Sequence, residues 1–325
     1  RNVIFQERWG KYGRIVSLLE RIGLGYDIYE KIYEVIYPDN PLNMTIIGKD
    51  EPLERIGKED LLSYYRKYYI PNNTHLIITG NIDKELVLKT AKHHFGDLST
   101  AALPQTFETP KIPDNGPHLI MIRGPLATNQ CRVAMGFRND GISALDHHIL
   151  EVITHILQKR LKQEIRHKKG LSYNLWAYNQ CYIDAGYTMV NTRVETSNKD
   201  IVVEIISACL DEMRRGDIDE LELSEAKTAL KGKWALSMES NFERAKWLER
   251  WIDVADGAIP DYFGAINAVT IEDIVQVLDK YAVPERSFLA MHVPILTVNS
   301  GALYLAVAVS VLIGLLIVKK LRRRH

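Results

Sequence analysis

Two segments of the chain repeat one another. The stretch "EDLLSYYRKYYIPNNTHLIITG" begins at Glu59, and "EDIVQVLDKYAVPERSFLAMHV" begins at Glu272; they align without a gap, 213 residues apart. Each segment predicts a helix, a proline that ends it, and a strand. Chance agreement at such a junction is the alternative, but the same order of elements around both segments favours an internal duplication. The identical pairs include Glu59/Glu272, Asp60/Asp273, Lys67/Lys280, Tyr68/Tyr281 and Pro71/Pro284.

The duplication also predicts how long the whole protein is. The second copy begins near His118, so the matching point of the first copy lies about a hundred residues before Arg1. Arg1 is not an initiating methionine. We therefore expect upstream residues, including the counterpart of a long helix at 144–169.

Apolar periodicity and turn residues divide the chain into regions. Residues 103–117 hold four of the twelve prolines and predict a linker. The predicted regions are 1–102, the remainder of an N-terminal half; 103–117, the linker; 118–293, the C-terminal half; 301–318, a transmembrane helix; and 319–325, a basic tail. The predicted helices are those to about residue 21 and at 26–36, 58–68, 83–95, 144–169 (capped by Ser143 with Asp146, ended by Gly170), 197–214, 219–255 and 270–281. The predicted strands are 74–80, 118–124, 131–137, 171–178, 182–195 and 287–293.

Composition excludes several classes of protein. Hydrophobic residues make up 46% of the chain and charged residues 25%, which predicts a folded protein rather than a disordered one. Lysine plus arginine equals aspartate plus glutamate at 41 each, so charge gives no support for nucleic-acid binding. Cys131, Cys181 and Cys209 form no CxxC pair, so neither a disulfide framework nor a zinc knuckle is predicted.

The C-terminal region predicts a membrane anchor. The stretch 301–318, "GALYLAVAVSVLIGLLIV", has no charge, and the basic tail "KKLRRRH" follows it directly. A buried helix of a soluble protein is the alternative. The basic tail favours a cytoplasmic C-terminus with the globular body outside, which would require an upstream export signal. A tail anchor inserted after synthesis would instead leave the body in the cytosol.

No complete catalytic motif is present: the chain has no GxSxG, P-loop, HExxH or HxxEH. His148 and His155 lie two turns apart on one predicted helix, with Glu151 between them and Val152 where a second ligand would be needed. We therefore interpret them as partly exposed helix residues rather than metal ligands. Glu7, beside Arg8 in "RNVIFQER", is by itself a solvated surface carboxylate.

Several separated motifs, in order, resemble the M16 metallopeptidases, which include insulin-degrading enzyme, pitrilysin and mitochondrial processing peptidase. The similarity runs from Arg1 to about Val293 and is carried by "RNVIFQER", "YPDNPL" with "IIGKDEPLERIGKEDLLSYYRKYYIPNN", and "EIRHKKGLSYNLWAYNQCYIDAGY". The resemblance implies an α+β fold of two homologous halves, each an antiparallel sheet packed with helices. It also implies Zn²⁺ as cofactor, with Glu7 as the third ligand. The two histidines of the family's HxxEH motif are absent here, and the duplication predicts that they lie upstream.

The resemblance assigns a second pair of residues. Arg166 and Tyr173 match a substrate-binding arginine and tyrosine of the family's second half, which would stabilise the oxyanion of the scissile carbonyl. Without the resemblance, Arg166 would merely complement the carbonyls at a helix C-terminus, and Tyr173 would be a strand residue with its hydroxyl in solvent.

The sequence as a whole thus predicts a zinc-dependent endopeptidase that cleaves peptides or unfolded segments in an enclosed chamber. Glu7 and the Arg166/Tyr173 pair on one chain resemble members that work as homodimers. The alternative is a catalytically silent structural or assembly subunit, similar to the core proteins of a respiratory complex.

Overall fold

The computed structural model describes residues 2–9, 27–103, 108–112, 116–124, 128–254, 259–295, 297, 304–305 and 307–313. The helices are α1 (Asn2–Trp9), α2 (Ile28–Ile36), α3 (Asp50–Arg55), α4 (Lys58–Tyr68), α5 (Lys84–Phe95), α6 (His147–Leu161), α7 (Lys199–Arg214), α8 (Glu220–Ser237), α9 (Asn241–Ile252), α10 (Tyr262–Ala268) and α11 (Ile271–Tyr281). The strands are β1 (His118–Gly124), β2 (Gln130–Asn139), β3 (Leu175–Cys181), β4 (Gly186–Glu195) and β5 (Ser287–Pro294).

These strands form one mixed sheet in the order β1-β5-β2-β4-β3. β1 pairs with β5 in parallel, whereas β5–β2, β2–β4 and β4–β3 are antiparallel, so the prediction of an antiparallel sheet is wrong for the β1–β5 pair. β5, the last strand among the described residues, therefore lies inside the sheet, and β3 lies at its edge.

The sheet buries apolar side chains on both faces, because successive side chains of a strand point in opposite directions. In β2, Val133 and Phe137 pack against α6, α7 and α11, whereas Ala134 lies in a second apolar cluster on the opposite face. Helix α2 covers that second face with Ile28, Ile32 and Ile36, whose spacing places them on one side of the helix. A helix of the predicted N-terminal region thus completes the core of the C-terminal one.

The predicted linker is also fixed to this sheet. The guanidinium of Arg138, a residue 3% exposed on β2, donates to the backbone carbonyls of Pro110 (2.8 Å) and Lys111. Its Cζ lies 5.0 Å from the ring centroid of buried Tyr37, which follows α2. One cation therefore joins three segments that are distant in sequence.

Residues 56–103 differ from the rest. Neither α4 nor α5 contains a buried residue, and Leu61 and Leu86 are each 62% exposed. The predicted strand 74–80 is wrong: this segment has no regular secondary structure, and no described strand pairs with it. A strand needs a neighbour to accept and donate its backbone hydrogen bonds.

Other boundaries also need correction. The predicted helix 219–255 is two helices, α8 and α9, because Ser240 caps a new start by accepting from the backbone N–H of Glu243. The predicted cap Ser143 is wrong as well, since its backbone N–H pairs with the Ile183 carbonyl and α6 begins four residues later. Gly170 does follow the helical segment, with a φ of +62°.

The predicted anchor falls only partly on described residues, namely 304–305 and 307–313, which are helical. The other residues of 301–318 and the tail 319–325 lie outside the described part. No helix within the described residues has both the length and the apolar character needed to cross a bilayer.

Candidate functional site

Arg166 and Tyr173 come together on the surface. The Cζ of Arg166 lies 5.9 Å from the centroid of the Tyr173 ring, within the range of a cation–π contact. Both side chains are exposed, and Tyr173 is 80% exposed. A cation and a phenol are therefore presented side by side to solvent.

The backbone under the pair is constrained by three features. Arg166 lies in a π-helical segment, Lys162–Lys168, that continues α6. Gly170 then reverses the chain with its positive φ, a conformation that suits glycine. Buried Ser172 donates to the Arg193 carbonyl at 2.8 Å and accepts from Thr192 at 2.8 Å. Ser172, the residue directly before Tyr173, is thus hydrogen-bonded to β4.

A second cation–aromatic pair lies along the same segment. Lys162 is 5.7 Å from the ring centroid of Trp176, which is 60% exposed on the edge strand β3. Lys162 and Trp176 also line an open cleft of about 900 Å³ between β3, α6, α8, α9 and α10. Lys162 lies four residues before Arg166 and Trp176 three residues after Tyr173, so both cation–aromatic pairs use the same two segments, and Lys162 and Trp176 form a basic and aromatic rim of the cleft.

Glu7 lies elsewhere, exposed on α1. Its neighbour Arg8 instead forms a largely buried ion pair with Asp50 at 2.8 Å and approaches Glu30 at 3.9 Å. Glu7 makes no hydrogen bond or ion pair with Arg166 or Tyr173 in the described structure, so these predicted site residues are not brought together by direct contact.

The fit of Zn²⁺ to Glu7 is incomplete. A catalytic zinc needs three protein ligands and an open position. Glu7 offers one carboxylate, and among the described residues no histidine joins it in a group of metal ligands. The described chain therefore does not hold zinc at Glu7 by itself.

A histidine cluster at the start of α6 was only partly anticipated. His155 is half-buried, as predicted for a helix residue. Within the described residues, the three that gather are His147, His148 and Glu151, with one ligand atom from each within 4.8 Å of the others. The sequence reasoning weighed His148 and Glu151 but missed His147. The string "HHILE" carries the signal, because residues three and four apart share a helix face.

Burial controls the charges of this cluster. It lowers the pKa of His147 to about 4, which keeps the imidazole neutral at neutral pH. Burial would raise the pKa of Glu151, but the imidazoles of His148 and His147 beside its carboxylate outweigh it and leave that pKa below its usual range. The cluster at neutral pH thus combines a neutral imidazole with a carboxylate.

Comparison with known proteins agrees with this fold. A family model described as the peptidase M16 inactive domain matches residues 55–230, more than half of the chain. The chain belongs to the peptidase M16 family. The matched span contains Arg166, Tyr173 and the histidine cluster, and it leaves Glu7 outside.

Relatives of this M16 chain are distant. An uncharacterised zinc protease of Bacillus subtilis, YmxG, is 24% identical over 217 residues, which cover 66% of this chain and 52% of that protein. The crystal structure of a protease from Helicobacter pylori has a TM-score of 0.78 at 20% identity and covers 90% of this chain and 70% of the other. A peptidase M16 inactive domain from Pseudomonas fluorescens has a TM-score of 0.76 at 15% identity, with 91% and 69% covered.

The structural matches establish the M16-like α+β fold. The chain spans about half the length of the curated relative YmxG.

Proposed function

We propose that this M16 chain acts in a zinc-dependent endopeptidase and that Arg166 and Tyr173 bind the peptide substrate. The observation that carries the proposal is the exposed Arg166–Tyr173 pair, held 5.9 Å apart on an anchored turn. The names of the relatives as zinc proteases support the reaction class. Glu7 is proposed as one zinc ligand, to be completed by two imidazoles.

The role proposed for Arg166 and Tyr173 follows from the hydrogen-bond donors of their side chains. A guanidinium offers several N–H groups and a phenol offers one O–H, so both can donate to a peptide carbonyl oxygen. That oxygen gains negative charge as the carbonyl carbon becomes tetrahedral, and each hydrogen bond then strengthens. The rim formed by Lys162 and Trp176 would contact neighbouring backbone and side chains of an extended peptide.

The test uses the protein as its gene encodes it, with quenched fluorescent peptides as substrates. For Arg166→Ala we expect kcat/KM to fall by about 10²-fold, as for the loss of an oxyanion donor, with bound zinc unchanged. Tyr173→Phe should reduce it as well. The control is Lys168→Ala, because this nearby lysine is paired with Glu164 at 2.5 Å on the same segment. Loss of zinc in Arg166→Ala, or unchanged turnover, would refute the assigned role.

The zinc assignment has a separate test. A gene that encodes HxxEH upstream of Arg1 would supply the two imidazoles. In that protein Glu7→Gln should abolish both bound zinc and cleavage, because an amide is a poor substitute for a carboxylate ligand. Wild-type turnover in Glu7→Gln would contradict the assignment.

A second candidate function is a catalytically silent assembly subunit. The description of the matched family model as the inactive domain favours it. A gene without HxxEH, together with a protein that co-purifies with an active or multi-subunit partner and cleaves nothing, would support this alternative over the peptidase.

Location and assembly are further proposals. The uncharged stretch 301–318 and its basic tail support a single-pass anchor with the tail in the cytoplasm. Protease protection of the body in sealed vesicles tests that topology, and degradation of the body from the cytoplasmic side would reverse it. The presence of both Glu7 and Arg166/Tyr173 on one chain supports a homodimer, which sedimentation in detergent can test.

A further inference from the structure

The cluster formed by His147, His148 and Glu151 lies at the first turn of α6. The Nε2 of His147 is 3.6 Å from Glu151 Oε1, and the Nδ1 of His148 is 3.5 Å from Glu151 Oε2. His147 is only 4% exposed, and its Nδ1 has no hydrogen-bond partner among the described residues. A buried ring nitrogen without a partner normally costs free energy.

The spacing suits a shared metal ion better than direct hydrogen bonds. Good N–H···O hydrogen bonds measure about 2.7–3.2 Å, shorter than either histidine–glutamate separation here. Two ligands at about 2.0–2.1 Å from a tetrahedral zinc lie about 3.3 Å from each other. The carboxylate oxygens of Glu151 lie 3.6 Å from His147 Nε2 and 3.5 Å from His148 Nδ1, close to that edge length, and one ligand atom from each of the three residues lies within 4.8 Å of the others.

The surroundings of the cluster are apolar on one side and open on the other. The ring of Trp251 on α9 lies 5.9 Å from both imidazole centroids, and the Tyr262 ring lies 5.4 Å from that of His148. Glu151 and Tyr262 also line the cleft of about 900 Å³. The two imidazoles are thus backed by aromatic rings, while Glu151 borders the cleft.

We propose that His147, His148 and Glu151 bind one zinc-class divalent ion in the C-terminal region of the chain. Two imidazoles and one carboxylate form a donor set that suits Zn²⁺, and the fourth position would take water or a ligand group from the cleft. This site is independent of the proposed function, because it uses neither Glu7 nor the Arg166/Tyr173 pair.

The test measures metal binding by the chain after treatment with a chelator. Zn²⁺ is titrated against a chromophoric competitor, and Co²⁺ serves as a visible probe of tetrahedral coordination. We expect one equivalent that depends on the cluster, with affinity reduced at least about 100-fold in His148→Gln and in Glu151→Gln, since each removes a ligand. Near-ultraviolet circular dichroism without metal verifies that both variants are folded. If His148→Gln fails to fold, Glu151→Gln decides.

The chain provides matched controls. His155→Gln changes a histidine of the same helix outside the cluster. His93→Gln/His94→Gln removes another pair of adjacent histidines, which lie exposed on α5. Neither should alter the affinity of the cluster site, and Glu7→Gln should leave it unchanged as well.

Several outcomes would overturn the proposal. A wild-type chain that binds no Zn²⁺, or binding that survives both His148→Gln and Glu151→Gln, would show that the cluster is not a site. Binding lost in His93→Gln/His94→Gln instead would assign it to the surface histidines. Loss in Glu7→Gln alone would place the ion at the Glu7 site of the proposed peptidase and leave the cluster without metal.

Discussion

The two copies of the repeated pattern, which begin at Glu59 and Glu272, show which structural features local sequence determines. In the first copy, α4 is followed by a 3₁₀ turn at Pro71–Asn73 and a segment without regular secondary structure; in the second, α11 is followed by a 3₁₀ turn at Pro284–Arg286 and strand β5. Even the helix starts agree, because Asp60 and Asp273 each accept from the backbone N–H three residues earlier at 2.8 Å. Local sequence signals therefore produce a helix followed by a 3₁₀ turn in both copies.

The two copies differ in how many of their side chains are buried. α11 buries Ile274, Val277, Leu278 and Tyr281, whereas α4 buries nothing. β5 lies between β1 and β2, whereas 74–80 pairs with no described segment. The difference teaches that a helix can form from its own hydrogen bonds and caps, while a strand depends on neighbours.

The largest predicted difference in stability is between substitutions of Tyr68 and Tyr281, which hold equivalent positions in the two copies. Tyr281 is fully buried, and its hydroxyl lies 3.0 Å from a carboxylate oxygen of Asp140 and 3.1 Å from one of Asp146, so it can donate to either. Tyr281→Ala should lower the free energy of unfolding by about 3–5 kcal/mol, because it leaves a large cavity in the core. Tyr68→Ala should cost less than about 1 kcal/mol. Urea unfolding followed by circular dichroism measures both, and equal losses would refute the contrast.

A smaller contrast is expected at the helix caps. Thr270 accepts from the backbone N–H of Asp273 at 3.1 Å and starts the buried helix α11. Thr270→Ala should cost about 1 kcal/mol. Gly57 holds the equivalent position in the first copy and has no side-chain oxygen, so Gly57→Ala should change stability by less than about 0.5 kcal/mol. Thermal unfolding of the two variants checks this, and a larger loss at Gly57 would reverse the ranking.

The smallest contrast concerns pH and the paired lysines. Lys280 forms ion pairs with Asp140 at 3.0 Å and Asp146 at 2.9 Å, whereas Lys67 forms none among the described residues. Burial raises the pKa of Asp140, but hydrogen bonds from Arg286 and Lys280 outweigh it and hold that pKa below its usual value. The folded state thus binds fewer protons, so the stability Asp140 adds is present above about pH 4 and is lost as pH falls through the folded pKa.

The measurement compares wild type with Asp140→Asn in urea at pH 6 and at pH 3. The Asp140 side chain is 38% exposed, so solvent screening limits the expected difference to about 1 kcal/mol at pH 6, and it should shrink toward zero at pH 3. Lys67→Met should show no such dependence. A difference that grows on acidification would contradict the sign.

Much of the second region was predictable from sequence. The strand near 118–124 and the helix 270–281 were placed to within a residue, because alternation, caps and the proline at 284 act locally. The pairing of Arg166 with Tyr173 was predicted from the family motif, and the structure adds the π-helical segment and the Ser172 anchor on either side of it. The cluster around His147 was missed because Glu151 was considered with His148 and His155 alone; the four-residue spacing of His147 and Glu151 is readable in the sequence, whereas the burial of His147 is known only from the structure.

By itself the sequence determined the local elements, the repeated pattern and the family resemblance, since these depend on residues near one another in the chain or on motif order. Only the tertiary structure decided which copy forms a strand, that α2 covers the sheet, and that Arg138 binds the linker carbonyls. These features depend on side chains and backbone groups from distant segments meeting in space, and their free energy comes from burial and pairing.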